Sequence, residues 1–419
     1  MPTTTADYVE LEDRYGAHNY HPLDVVINRG EGVWVWDVEG RQYMDCLAAY
    51  SAVNQGHCHP KIVQALIDQT TKVALTSRAF RNDQLGLFYQ KLAELTGFTR
   101  TLPMNSGAEA VETAIKAARK WAYTVKGVGY NQAEILVFSQ NFHGRTTTIV
   151  GFSSEEQYRR GFGPFAPGFT LLPYGDIEAV ASAMNPNVAA VLIEPIQGEG
   201  GIIVPPQGYL AQIADLCKEH RALLMMDEIQ SGLGRTGKMF AYEYEDIRPD
   251  VLILGKALSG GLYPVSVMLA DDEVMDVFQP GDHGSTYGGN PVAAAVGRAA
   301  LDVIVDEGLV ENSAAQGEYL MERLTAIESE VVKEVRGRGL WVGIELNPEA
   351  GGARRYCEAL QKAGLLCKET HEHVIRIAPP LVINREELDW AIDKVIGVLT
   401  GDRVLQATSR VTTTIPPVA

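Results

Sequence analysis

A chain of 419 residues with 46% hydrophobic and 21% charged residues can bury a large core and is long enough for two or three domains. Its formal net charge of −17 excludes the basic face that nucleic-acid phosphates require and argues against docking on anionic membranes. No apolar run approaches the ~20 residues that span a bilayer.

The opening MPTTTADYVELEDRYG has neither the apolar centre of a secretory signal nor the Arg-rich character of a transit peptide, which predicts a cytoplasmic protein. The five cysteines, Cys46, Cys58, Cys217, Cys357 and Cys367, are odd in number and scattered without a CxxC. They read as free thiols used as small core residues in a reducing compartment.

In chain order, GVWVWDVEGRQYMDCL (32–47) predicts a hairpin turned at Glu39-Gly40. PMNSGAEAVETAIKAARK (103–120) predicts a long helix capped by Asn105 or Ser106, with small residues Gly107 and Ala108 in its first turn. Then come EILVFS (134–139), AAVLIEP (189–195), ALLMMDE (222–228) and VLILG (251–255). They are short and apolar on both faces, as strands of a parallel sheet covered on both sides must be. GYLAQIADLCKEH (208–220) is a helix between two of them. This alternation is the α/β signature.

From about residue 298 the pattern changes to a helix, then strands in GLWVGIEL and HVIRIAPP, then the helix EELDWAIDKVIGVL. The expected organisation is an N-terminal segment (1–50) that joins a smaller α+β domain, a large domain (51–297) with a mostly parallel sheet, and a C-terminal small domain (298–400). Residues 401–419, rich in Thr and with a Pro pair, read as a mobile tail.

Ligands of parallel α/β sheets bind beyond the carboxyl ends of the strands. There this sequence places unlike polar residues: Phe142, His143 and Arg145 after EILVFS, Glu194 and Glu199 after AAVLI, Asp227 after ALLMM, and Lys256 after VLILG. A lysine at the edge of a core is desolvated, its ammonium form is disfavoured, and the neutral amine attacks carbonyls. An aspartate on a neighbouring strand end can hold a proton on a heteroaromatic nitrogen. Pyridoxal phosphate needs such a pair. The start of the helix at Gly107 and Ala108 leaves backbone amides open to a phosphate, Ser285 and Thr286 in HGSTYGGN (283–290) supply further hydroxyls, and Phe142 can stack on a flat ring.

GLGRTGK (232–238) fits seven positions of a P-loop, but Met239 stands where Ser or Thr must hold Mg²⁺. HCH (57–59) and HEH (371–373) lack the spacing of a metal site, so no metal is expected.

Together these strings resemble the class III, or omega, aminotransferases, a subgroup of the fold-type I pyridoxal-phosphate enzymes. The likeness runs from about Tyr15 to Leu399. It is carried by YGAHNYHPL (15–23), YSAVNQGHCHPK (50–61), TSRAF (76–80), EPIQGE (194–199), DEIQSGLGRTG (227–237), GKALSGGLYPVS (255–266), HGSTYGGNP (283–291) and IRIAPPL (375–381). GAHNYHP and SGGLYP are similar to the branch that acts on ornithine.

The resemblance implies that Lys256 holds the cofactor aldehyde and moves the proton, that Asp227 pairs with the ring nitrogen, and that Gln230 bonds the ring hydroxyl. It implies Gly107 and Ala108 on the phosphate, Thr286 reaching that phosphate from a partner subunit of a homodimer, and Phe142 stacked on the ring. Tyr20, Tyr50 and Arg145 would contact the amino donor. Glu199 would pair with Arg376 in one half-reaction and swing away in the other. The implied reaction moves the δ-amino group of ornithine to 2-oxoglutarate. His143 in FHGR and Gly200 in GEGG are closer to the branch that takes N-acetylornithine, whereas the phenol of Tyr20 suits a free α-amino end. The resemblance to the wider class also brings in lysine and 4-aminobutyrate as alternative amino donors.

Overall fold

The computed structural model describes residues 2–401. The expectation of a tail at 401–419 therefore falls almost wholly outside the described residues. Among the described residues no helix is long and apolar enough to cross a membrane.

The centre is a seven-stranded sheet in the order Arg100–Met104, Ser266–Ala270, Val251–Leu254, Leu223–Asp227, Val188–Ile193, Glu134–Phe138, Phe169–Leu172. The last five strands run parallel, while Ser266–Ala270 is antiparallel to both of its neighbours. Each apolar run alternates between two cores. Leu136, Phe138, Val191, Ile193, Leu224, Met226, Leu252 and Leu254 pack on one face. Ile135, Val137, Leu192, Met225, Val251 and Ile253 pack on the other, under Ala110, Val111, Ala114 and Ile115 of the helix Gly107–Trp121. Because both faces are covered, side chains of both parities must be apolar, and that is why these strands read as unbroken apolar runs.

Two four-stranded sheets come from the chain ends. The predicted hairpin is present as Trp34–Asp37 and Gln42–Asp45, turned through Gly40 at φ +82°. The second of these strands pairs in parallel with Leu365–Leu366, which ties the N-terminal segment to the C-terminal part. The other sheet is antiparallel and includes Val332–Arg338, Trp341–Leu346, Val374–Ile377 and Lys368–Thr370. The helix Pro291–Asp306 runs through residues 297 and 298 without a break, so a helix rather than a linker leads from the central sheet into the C-terminal part. Four of the five free cysteines are buried as expected, but Cys58 is exposed.

Candidate active site

At the carboxyl ends of the parallel strands lies a cavity of ≈ 170 Å³ whose lining includes Lys256, Asp227, Glu194, His143, Phe142 and Gly107. The strand Val251–Leu254 is fully buried, so the chain leaves the sheet inside the core and Lys256 must turn at once. It does so at φ +45°, a strained conformation for a side-chain-bearing residue. Burial pushes the Lys256 ammonium down in pKa, against the charges of Glu199 and Asp227.

Asp227 ends its strand. One carboxylate oxygen accepts the Ile229 N–H at 3.1 Å, and the other meets His143 Nδ1 at 2.7 Å. His143 is buried and its Nε2 has no partner. Burial alone would lower the His143 pKa, but the hydrogen bond and charge of Asp227 outweigh it and raise the value. His143 lines the cavity from behind Asp227, so it acts first on that carboxylate. Glu194, one residue past its strand, accepts the N–H of Phe142 at 2.8 Å and of Gly198 at 3.3 Å. Burial raises the Glu194 pKa to about 7, with His143 opposing.

The helix Gly107–Trp121 is capped by Ser106, which forms a capping box with Glu109. Gly107 and Ala108 are its first two residues and line the cavity, and N–H groups there have no intrahelical acceptor. Space beside them is tight. Gly144 sits at φ +130°, and a Cβ there would come within 2.7 Å of Ala108 Cβ.

Opposite Lys256, Arg376 Nη1 donates to Glu199 Oε1 at 2.9 Å. The Gln230 amide donates to the same Glu199 oxygen at 3.3 Å, and its oxygen lies 3.4 Å from Arg376. Arg376 comes from the antiparallel small sheet. That sheet also fixes the Glu199 turn, through Thr370 Oγ1 on the Glu199 carbonyl and Arg336 Nε on the Gly201 carbonyl. Burial raises the Glu199 pKa, but Arg376 and then Lys256 bring it down to about 2.

The Tyr50 ring lies under the Arg376 guanidinium, 5.2 Å away. Ala48, Ala49, Tyr50 and Ser51 all have positive φ, a left-handed turn costing roughly 1–2 kcal/mol per residue. It is held by the Asp45 carboxylate, which accepts the N–H groups of Leu47 and Ala48 and bonds His57 at 2.8 Å.

The structure thus brings together Lys256, Asp227, Gln230, Gly107, Ala108, Phe142, Glu199, Arg376 and Tyr50. Arg145 is exposed and stacks on Tyr158, 3.6 Å from the ring. Tyr20 is 77% exposed. Ser285 and Thr286 do not line the cavity of their own chain. Ser285 Oγ accepts from the Asn105 amide at 2.9 Å, and Thr286 is exposed. Sequence reasoning placed Glu194 and His143 on this rim but gave neither a contact there. The signal available was a carboxylate directly after a wholly apolar strand. The P-loop-like GLGRTGK forms an irregular turn followed only by a short 3-10 helix, Ala241–Glu245. Its Arg235 is fully buried, donating to the carbonyls of Leu340 and Pro379.

The fold and this lysine–aspartate site define a fold-type I transaminase, and the class-III aminotransferase family model matches residues 15–399. The chain belongs to that family and is a pyridoxal-phosphate-dependent aminotransferase. It is 60% identical to the ornithine aminotransferase of Brevibacillus brevis, covering 93% of this chain and 97% of that one. Among solved structures it superposes on the ornithine aminotransferase of Toxoplasma gondii, in which pyridoxal phosphate partly occupies the active site, with TM-score 0.94 and 42% identity over 96% of each chain. The acetylornithine aminotransferase of Elizabethkingia anophelis matches with TM-score 0.87 and 49% identity over 95% of this chain and 99% of that one.

Proposed function

We propose that the protein transfers the δ-amino group of L-ornithine to 2-oxoglutarate, giving glutamate 5-semialdehyde, which cyclises to pyrroline-5-carboxylate, and glutamate. The observation that carries this reading is the Glu199–Arg376 pair facing Lys256. An arginine is needed for the carboxylate beside the keto group of 2-oxoglutarate. With an amine on a primary carbon it has no counter-charge, and a paired carboxylate that can leave removes that cost.

The residues present fit pyridoxal phosphate: an amine of lowered pKa, a carboxylate ending the neighbouring strand, an aromatic wall, and two open helix amides packed closely enough to exclude side chains. When bound, the cofactor supplies an aldehyde for the amine and a ring that takes up the electron pair released at the substrate carbon. Lys256 would take the proton from the carbon bearing the amino group and return it to the carbon on the far side of the transferred nitrogen. Asp227, held by His143, would keep a proton on the ring nitrogen. Gly107 and Ala108 would hold the phosphate, Phe142 would cover one ring face, and Gln230, which donates to Glu199 at 3.3 Å, would bond the ring hydroxyl. Tyr20, Tyr50 and Arg145 contact the far end of ornithine.

The working unit is a homodimer in which Ser285 and Thr286 complete the partner's phosphate site. In support, Phe80 is 72% and Tyr287 53% exposed. Their segments adjoin through the Asn82 amide on the Gly289 carbonyl. Large apolar side chains exposed on adjoining segments suit an association surface.

The test is the visible absorbance of the holoenzyme during addition of L-ornithine, with N-acetylornithine in parallel. The expected result is rapid bleaching by ornithine alone. Faster bleaching by the acetylated compound would transfer the assignment to the acetylornithine branch, to which the 49% identical Elizabethkingia anophelis enzyme belongs.

A further inference from the structure

Glu194 is a buried carboxylate that the reaction above does not use. It touches two parts of the site at once. One oxygen accepts the N–H of Phe142, in the loop that brings the aromatic wall. The other accepts the N–H of Gly198, the residue before Glu199. Its own carbonyl accepts the Tyr174 hydroxyl at 3.1 Å, so the strand end that carries it is also fixed. Phe142 and Glu199 stand on different strand-end loops, 57 positions apart in the sequence, and this one side chain accepts a backbone N–H from each loop, at Phe142 and at Gly198.

We propose that Glu194 is a positioning residue for amino-donor preference. It fixes the Gly198–Glu199 turn relative to the Phe142 wall and so sets how readily Glu199 holds Arg376. The inference rests on the ornithine reading. A carboxylate has an acceptor for each N–H. Glu194→Gln keeps the shape but turns an NH₂ towards one of the two donors. The 3.3 Å bond to Gly198 is the longer and yields first. Glu199 is then held less well on Arg376, and the site shifts towards donors that carry a carboxylate there.

The experiment is a double-mutant cycle in the holoenzyme, with the ratio of single-turnover rates for ornithine and glutamate as readout. Glu194→Gln is expected to lower that ratio by roughly 2- to 150-fold, the range of coupling within one hydrogen-bond network. In a Glu199→Ala background the same change should leave the ratio alone, because nothing remains to be misplaced. Equal shifts in both backgrounds overturn the proposal.

Glu194→Asp, which keeps the charge but shortens the reach by one methylene, should shift the ratio in the same direction. If neither variant folds, Glu194 serves the fold alone and the proposal is likewise overturned. The visible band and ornithine turnover of the wild type are recorded first. Their absence would sink the ornithine reading itself, whereas an additive cycle in an ornithine-active enzyme sinks only the inference about Glu194.

Discussion

The guanidinium of Arg376 and the carboxylate of Glu199 lie 2.9 Å apart, with the arginine side chain 1% exposed. The Glu199 pKa is displaced from 4.5 to about 2. A depressed carboxylate stabilises the fold at pH values above its ordinary one and loses that contribution as pH falls towards its folded value. The pair is therefore intact across the neutral range, and protons do not open it there. A substrate carboxylate must displace Glu199 instead. Glu199→Ala should leave Arg376 buried without its counter-charge, at a local cost of up to about 3–5 kcal/mol. Two readouts follow: a lower melting temperature that 2-oxoglutarate restores more strongly than in the wild type, and a rise of about tenfold or more in glutamate over ornithine as amino donor, equivalent to ~1.4 kcal/mol. An unchanged donor ratio would remove the switch argument.

Lys256→Ala removes the one lysine among the described residues that line the cavity. The residue sits two positions past a buried strand at φ +45°, a conformation alanine bears no worse than lysine, so the substitution should leave the fold intact. Cofactor is expected to bind without the covalent link and to be washed out by dialysis. Turnover should fall by at least about 10²–10⁴, the usual worth of a positioned acid–base group. Stopped-flow absorbance with ornithine measures it, and a variant with wild-type turnover would refute the role.

His143→Phe tests the contact behind Asp227. The 2.7 Å bond is made by a histidine with no side-chain exposure, so a ring without nitrogen leaves a buried carboxylate oxygen unsatisfied. The penalty for such an acceptor is about 1–3 kcal/mol. It should appear as roughly 5- to 150-fold weaker cofactor retention, with the pH dependence of the visible band displaced. Equilibrium dialysis and a spectral titration measure both. Unchanged retention would mean that Asp227 needs no support.

The parallel strands were legible because burial on both faces forces both side-chain parities to be apolar, and Val188–Ile193 is buried at all six positions. Lys256 and Asp227 were legible because a charge directly after such a run is costly and therefore stands out. Other features left no local mark. The antiparallel insertion of Ser266–Ala270 depends on pairing across the sheet. The left-handed turn at Ala48–Ser51 contains no glycine to announce it, and it exists because Asp45 and His57 hold it. The bonds from Glu194 to Phe142 and Gly198 join separate strand ends, and only the folded sheet sets that distance.

Glu228, the neighbour of Asp227, offers a test of stability without chemistry. It is 1% exposed, and its oxygens accept the Ser231 hydroxyl at 2.5 Å and the Tyr242 N–H at 2.9 Å. Burial dominates those bonds and raises its pKa from 4.5 to about 8. The folded chain therefore keeps Glu228 protonated where the unfolded chain has already ionised. Stability from this group is complete below about 4.5 and is lost as pH rises towards 8. The shift corresponds to at most about 5 kcal/mol. Glu228→Gln cannot ionise, its oxygen still accepts from Tyr242, and its amide can donate to Ser231. Melting temperatures measured from pH 5 to 9 should fall less steeply in the variant than in the wild type, with the curves diverging most above pH 7. Parallel curves would mean that Glu228 is ionised in the folded protein at neutral pH, held by its two donors.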